Sequence, residues 1–215
     1  KNGNLLFYTD GERVRNRNHK IMPNGDSLEA GKSFGVIHSS RQSSIVIPIP
    51  QDSNRYYIFS NSGIPTAGGA GLFYSIVDMR MDGGLGDVTS LKAIPLLNNT
   101  TEAMTAVKDR SGCGIWLILH TWNTNHFYAY HISDAGLDSV PVISQTGVVD
   151  SDGRSVMKAS PNGTRIAMCE YLNNTQLFDF NNLSGAVSNP LSFFPPLTYA
   201  LACSFSPDNS KLYVA

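Results

Sequence analysis

The densest concentration of chemically capable side chains is the segment His120-Thr121-Trp122-Asn123-Thr124-Asn125-His126. Two imidazoles, an indole platform and two carboxamides so close together could stack on and hydrogen-bond a sugar or a peptide. His120, Trp122, Asn123, Asn125 and His126 are therefore the candidate ligand-binding residues. The same segment could equally cap a strand, pack an indole between sheets and make a turn. A second oxygen-rich stretch places Asp78, Asp82 and Asp87 around Gly83-Gly84-Leu85-Gly86. Carboxylates of this kind suit a hard cation such as Ca²⁺, but a calcium-binding nonapeptide array needs GGxGxD in tandem, and a single GGLGD is one residue short. Cys113, Cys169 and Cys203 show no CxxC or Cys/His spacing. No metal and no cofactor is expected.

For nucleophilic catalysis, no Ser, His and Asp can be linked by spacing. Asp109-Arg110-Ser111-Gly112-Cys113-Gly114-Ile115-Trp116 imitates an S-x-D-x-G-x-x-W box, but its glycine stands four residues before the tryptophan instead of three.

The elements that would hold these side chains follow from composition and repetition. Of 215 residues, 15% are charged and the formal net charge is −1, while Gly, Asn and Ser separate short apolar runs. That pattern speaks for β-structure, and the lack of a long apolar stretch or a basic surplus disfavours membrane spanning and general nucleic-acid binding. Ser160-Pro161-Asn162-Gly163 has a near copy 46 residues on in Ser206-Pro207-Asp208-Asn209, each between apolar runs. Pro presets the first corner, Asx bonds its own backbone, and Gly or Asn accepts the left-handed corner, so both read as hairpins. Looser copies surround Gly112 and the turn Gln51-Asp52-Ser53-Asn54, and aromatic strands such as Phe73-Tyr74, Phe127-Tyr128 and Phe178 follow the hairpins.

A unit of about 45–60 residues with three or four short strands predicts an all-β fold, a β-propeller sector of about four blades built from four-stranded antiparallel sheets. Blades are expected at about 43–97, 101–146 and 155–197, with partial blades at 1–22 and 199–215. Only Asn99 to Val107 could hold a helical turn or two. The chain opens and stops inside strand-like runs, as expected of a piece of a longer protein and of a larger propeller with six to eight blades. A four-bladed ring closed by its terminal pairs is the alternative. Ligands of a propeller approach the face carrying the loops from outer to inner strand, here about 24–42, 97–102 and 147–154, and the loops about 61–71, 120–125 and 171–175.

Asn2-Gly3-Asn4-Leu5-Leu6-Phe7-Tyr8-Thr9-Asp10-Gly11-Glu12-Arg13-Val14, Asn16-Arg17-Asn18-His19, Ile21-Met22-Pro23-Asn24-Gly25, Asp78-Met79, Asp82-Gly83-Gly84-Leu85-Gly86-Asp87-Val88 and Phe127-Tyr128-Ala129-Tyr130 together resemble the N-terminal WD40/YVTN-like propeller of large secreted bacterial proteins. Such proteins often end in a gliding-motility-associated sorting domain exported by the type IX route. Arg15 stands where the family phrase has Trp. The resemblance implies an extracellular or cell-surface location and further domains in the parent polypeptide.

These readings together lead to the expectation of a non-catalytic binding or scaffold module whose loops recognise a protein or glycan ligand. The alternative is a propeller-type polysaccharide lyase or glycoside hydrolase. Three or more His, Arg, Tyr or carboxylate side chains converging at the channel mouth, with shifted pKa values, would favour the enzyme.

Overall fold

A computed structural model describes residues 3–28, 40–63, 71–172, 175–193 and 199–215. Parts of the expected ligand-face loops 24–42 and 61–71 lie outside the described residues. The chain folds as successive antiparallel sheets. β1 (Phe7–Thr9) and β2 (Val14–Asn16) form a two-stranded sheet. The second sheet has the order β3 (Ser44–Pro48), β4 (Arg55–Asn61), β5 (Leu72–Asp78), with β6 (Asp87–Val88) and β7 (Ile94–Leu97) sharing the outer edge of β5. The third runs β8 (Thr100–Lys108), β9 (Ile115–Thr121), β10 (Thr124–Ser133), and β10 also pairs with β11 (Gly136–Leu137) and β12 (Val142–Asp150). The fourth is β13 (Ser155–Ala159), β14 (Arg165–Glu170), β15 (Thr175–Asn181), β16 (Ala186–Ser192), and the fifth is β17 (Cys203–Phe205) with β18 (Leu212–Val214). Among the described residues β1 and β2 do not pair with β17 and β18.

The sheets stack because the second strands β4, β9 and β14 bury apolar side chains on both faces. Successive side chains of a strand point to opposite faces. On β9, Leu117 and Leu119 join Ile47, Phe59 and Leu72 of the second sheet, while Trp116 and Ile118 join Met157, Ile166 and Phe178 of the fourth. Val14 and Met22 cover Ile58 and Val77 on the far side of the second sheet, and Cys169 packs with Cys203 beyond the fourth. One sheet thus needs a neighbour on each side to keep its core dry, which is a propeller arrangement and not a sandwich with one buried layer.

The hairpin turns fold as their residues dictate. Gly163 N–H donates to Ser160 O at 2.8 Å with φ 69°, and Asn209 N–H donates to Ser206 O at 2.9 Å with φ 62°. The left-handed corner falls on Gly in one turn and Asn in the other, the two residues that occupy it at least cost.

The helical turn expected at Asn99–Val107 is replaced by β8. Thr100 to Thr105 are all buried, so the segment satisfies its backbone by pairing with β9 and its side chains by packing on both sides. The pairing shifts register between Thr100 and Met104, forming a bulge at residues 101–103. The only helical element among the described residues is a single 3₁₀ turn at Asp82–Gly84. Around it Asp78 pairs with Arg80 at 2.6 Å, and Asp87 accepts hydrogen bonds from Asn24 N–H and Nδ2 at 2.8 and 2.7 Å.

Phe127 and Phe178, each 1% exposed, meet edge to face at 4.9 Å between the third and fourth sheets. Truncating Phe178→Ala should cost about 3–5 kcal/mol, because it removes buried area and leaves a cavity between sheets that pack rigidly. Chemical denaturation of wild type and variant checks this; a loss below about 1 kcal/mol would contradict the stacking.

Candidate functional site

The sheet stack brings the starts of its inner strands to one face, and four charged or aromatic residues adjoining three of the sheets converge there. Arg41 precedes β3, Glu102 sits in the β8 bulge, Arg154 precedes β13, and Tyr171 follows β14. The bulge matters because an extra residue bends the strand and re-aims a side chain that regular pairing would fix. Glu102 N–H donates to Gly153 O at 2.9 Å, and its Oε2 accepts Arg41 N–H at 3.1 Å. The guanidinium carbons of Arg41 and Arg154 each lie 4.4 Å from the centroid of the Tyr171 ring. Tyr199 packs edge to face on Tyr171 at 5.3 Å, and its N–H donates to Tyr171 O at 2.7 Å.

Residues 41 and 42 lace four sheets together. The Arg41 Nη1 donates to Ala200 O at 3.2 Å. Gln42 Oε1 accepts from Met104 N–H at 3.2 Å and Met157 N–H at 2.7 Å, and its Nε2 donates to Met157 O at 3.2 Å. One carboxamide therefore satisfies three backbone groups of two neighbouring inner strands.

The electrostatics separates the acidic groups. Burial raises the pKa of Glu102, opposed by the Arg41 N–H and by the positive charges of Arg41 and Arg154. Asp152 moves the other way, because Arg154 grips it with Nε on Oδ1 and Nη2 on Oδ2, both at 2.6 Å. Asp150, fully buried, is raised by desolvation against the donated Gly153 and Asp152 N–H groups. Two carboxyls of one site shifted in opposite directions mark Glu102 as the candidate proton carrier and Asp152 as the carboxylate favoured as an anion.

The candidate binding residues flank this cluster. His120 is 1% exposed, its ring edge-on to Phe127 at 4.7 Å and its Nδ1 without a partner among the described residues. Burial, aided by the charge of His126, lowers its pKa to about 3. Trp122 Nε1 donates to Ser151 O at 3.0 Å, and Asn123 N–H donates to Asp150 O at 2.7 Å from a left-handed corner of φ 56°. Asn125 Nδ2 reaches Gly147 O at 3.4 Å, and His126 is half-buried beside Tyr128. The structure thus brings Trp122 and Asn123 against the loop that leads to Arg154, whereas His120 faces the core between sheets. Arg41, Glu102, Arg154 and Tyr171 are the residues that sequence reasoning missed. All four lie within the loops that the repeat pattern assigned to the ligand face, and their common place next to an inner strand was the available signal.

The opposite face carries its own polar group, where His131 Nε2 lies 3.1 Å from Asp109 Oδ2. Burial alone would raise Asp109, but hydrogen bonds from Ser111, His131 and the Gly114 and Gly112 N–H groups bring it down to about 2.

Comparison with protein-family models and with curated proteins finds no match. Among solved structures, the chain is similar to a Bacteroides fragilis protein described as a "putative 6-phosphogluconolactonase". The two share 12% identity and a TM-score of 0.58, covering 97% of this chain and 62% of that one. The fold is a β-propeller. At this identity the likeness establishes architecture, and the chain spans less than two thirds of its neighbour's length. The expectation of a non-catalytic binding module is corrected by this result, since the matching architecture belongs to a protein described as an enzyme.

His120 and Glu102 give opposite pH linkages. A depressed histidine contributes stability that is present above its unfolded pKa of 6.5 and is lost as pH falls toward about 3. A raised carboxyl contributes stability that is present below its ordinary 4.5 and is lost as pH rises through its folded value. By NMR, the His120 ring in the folded protein should stay neutral down to about pH 4, whereas in denaturant it titrates near its ordinary value of 6.5. A native titration near the unfolded value would show that the ring is hydrated.

Proposed function

We propose that this propeller carries the substrate face of an enzyme that acts on an acidic sugar derivative, cleaving a lactone, ester or glycosidic link with water. The observation that supports this most is the mouth cluster, in which one carboxyl with a raised pKa lies beside two guanidiniums that share an aromatic ring. Paired guanidiniums suit a carboxylate or phosphate on the substrate, and they also favour the oxyanion that forms when water adds to a carbonyl. Ionised Glu102 takes a proton from that water while the oxygen attacks, and returns it to the departing sugar oxygen. Asp152 keeps Arg154 charged and oriented through its two 2.6 Å contacts. Tyr171 holds both guanidiniums against a flat face, where cation–π attraction compensates their mutual repulsion. The likeness to a protein whose description names a phosphogluconolactonase favours a lactone among these links.

A lyase reading draws on the same pair. Two cations on a uronate carboxylate would acidify the adjacent carbon and permit elimination in place of hydrolysis. Trp122, Asn123, Asn125 and His126, with His120 behind them, are proposed as the supporting rim. The resemblance of the N-terminal phrases to secreted, surface-attached propellers supports a place for this enzyme outside the cell, within a parent protein of several domains. Cell fractionation with surface proteolysis of the parent protein checks that placement.

The decisive assay uses the parent protein against phosphorylated and carboxylated sugar lactones and acidic polysaccharides. Glu102→Gln should lower kcat by about 10²–10⁴-fold with little change in KM. Arg154→Gln should raise KM for acidic substrates and leave neutral analogues unaffected. Full activity in Glu102→Gln sinks the acid–base assignment, and an unsaturated product in place of a hydrolysed one moves the reaction to the lyase class.

A further inference from the structure

We infer that the face opposite the mouth holds a second, non-catalytic binding groove for an acidic oligosaccharide, between the third and fourth sheets. Two cavities of about 580 and 520 Å³ share Arg110 and Asn182 in their linings, so they run on as one groove. Each is within the size range of pockets that take small ligands. The floor of the first is apolar, with Ala106, Val107 and Ala159, and suits the C–H face of a sugar ring.

Hydrogen-bond donors outnumber acceptors around this floor. Lys108 and Arg110 are exposed, and among the described residues neither side chain makes an ion pair or hydrogen bond. The neighbouring carboxylates are already engaged: Asp109 by Ser111 and His131, and Asp179 by Arg165 at 2.9 Å and Asn189 at 2.8 Å. Asn162 Oδ1 accepts from Ser160 Oγ, Thr164 N–H and Thr164 Oγ1, leaving its Nδ2 as a donor. The side-chain amide of Asn182 is unbonded among the described residues, while its backbone oxygen is fixed by Arg110 N–H and Trp116 Nε1, both at 3.0 Å.

Two unpaired cations, the open Nδ2 donor of Asn162 and the unbonded amide of Asn182 over an apolar floor call for a ligand rich in anionic oxygen with an apolar underside. Carboxylated or sulfated sugars have that composition. Gly163 keeps the groove open, since a Cβ there would come within 2.7 Å of Val107 Cγ2 and 3.3 Å of Asn182 Nδ2. This groove stands independently of the reading of the mouth, because no residue is shared between them.

The test is titration calorimetry of the full chain with oligogalacturonate, neutral maltohexaose and inorganic sulfate. Wild type should bind oligogalacturonate, and Lys108→Gln with Arg110→Gln should weaken it by about tenfold or more, since each charge-assisted contact is worth that order. Arg154→Gln should leave a binding event that Lys108→Gln with Arg110→Gln removes, and the groove variant should leave turnover at the mouth unchanged. Equal affinity for maltohexaose would remove the role of the cations and overturn the inference. Sulfate binding as tight as the oligosaccharide's would reduce the groove to a small-anion site and overturn it as well. Loss of binding in Arg154→Gln alone would assign the oligosaccharide to the mouth.

Discussion

Everything in this molecule depends on second strands that are apolar on both faces. β9 sends Leu117 and Leu119 one way and Trp116 and Ile118 the other, so its sheet cannot bury its core with a single partner. Each fully buried large side chain contributes about 1.5–3 kcal/mol, so both layers weigh on the fold. The radial stack is the arrangement that meets this demand.

That stacking also decides where chemistry can occur. Inner strands end together at one face, so residues adjoining them from separate sheets meet without any local motif. The price of the cluster is paid in buried carboxyls: Glu102 and Asp150 are both driven toward the neutral form by desolvation. Groups whose protonation is shifted by burial are costly for stability, and here they gather at a rim where two guanidiniums converge.

The repeat made the architecture legible, because turn residues act locally. Ser-Pro-Asn-Gly at 160–163 and Ser-Pro-Asp-Asn at 206–209 dictate their corners whatever surrounds them. The face on which these loops gather followed from strand order. The residues on it did not, since Arg41, Glu102, Arg154 and Tyr171 are scattered from position 41 to 171 and related only through packing. His120 and Trp122 attracted notice by local density, yet a buried imidazole at the end of a strand can serve the core as well as a ligand. β8 was misread because its sequence Thr-Thr-Glu-Ala-Met-Thr-Ala-Val-Lys lacks clean alternation, and the bulge that places Glu102 is the cause of that irregularity.

Arg41 reaches Ala200 across a sequence separation of 159 residues. During synthesis the first arginine of the rim therefore emerges long before its last anchor, and the loop that joins them closes only after the intervening sheets have docked. An incomplete nascent chain can build hairpins and even paired sheets, but it cannot arrange the guanidiniums as the finished protein does. The rim's geometry is thus a late product of assembly, completed only once distant sheets have docked.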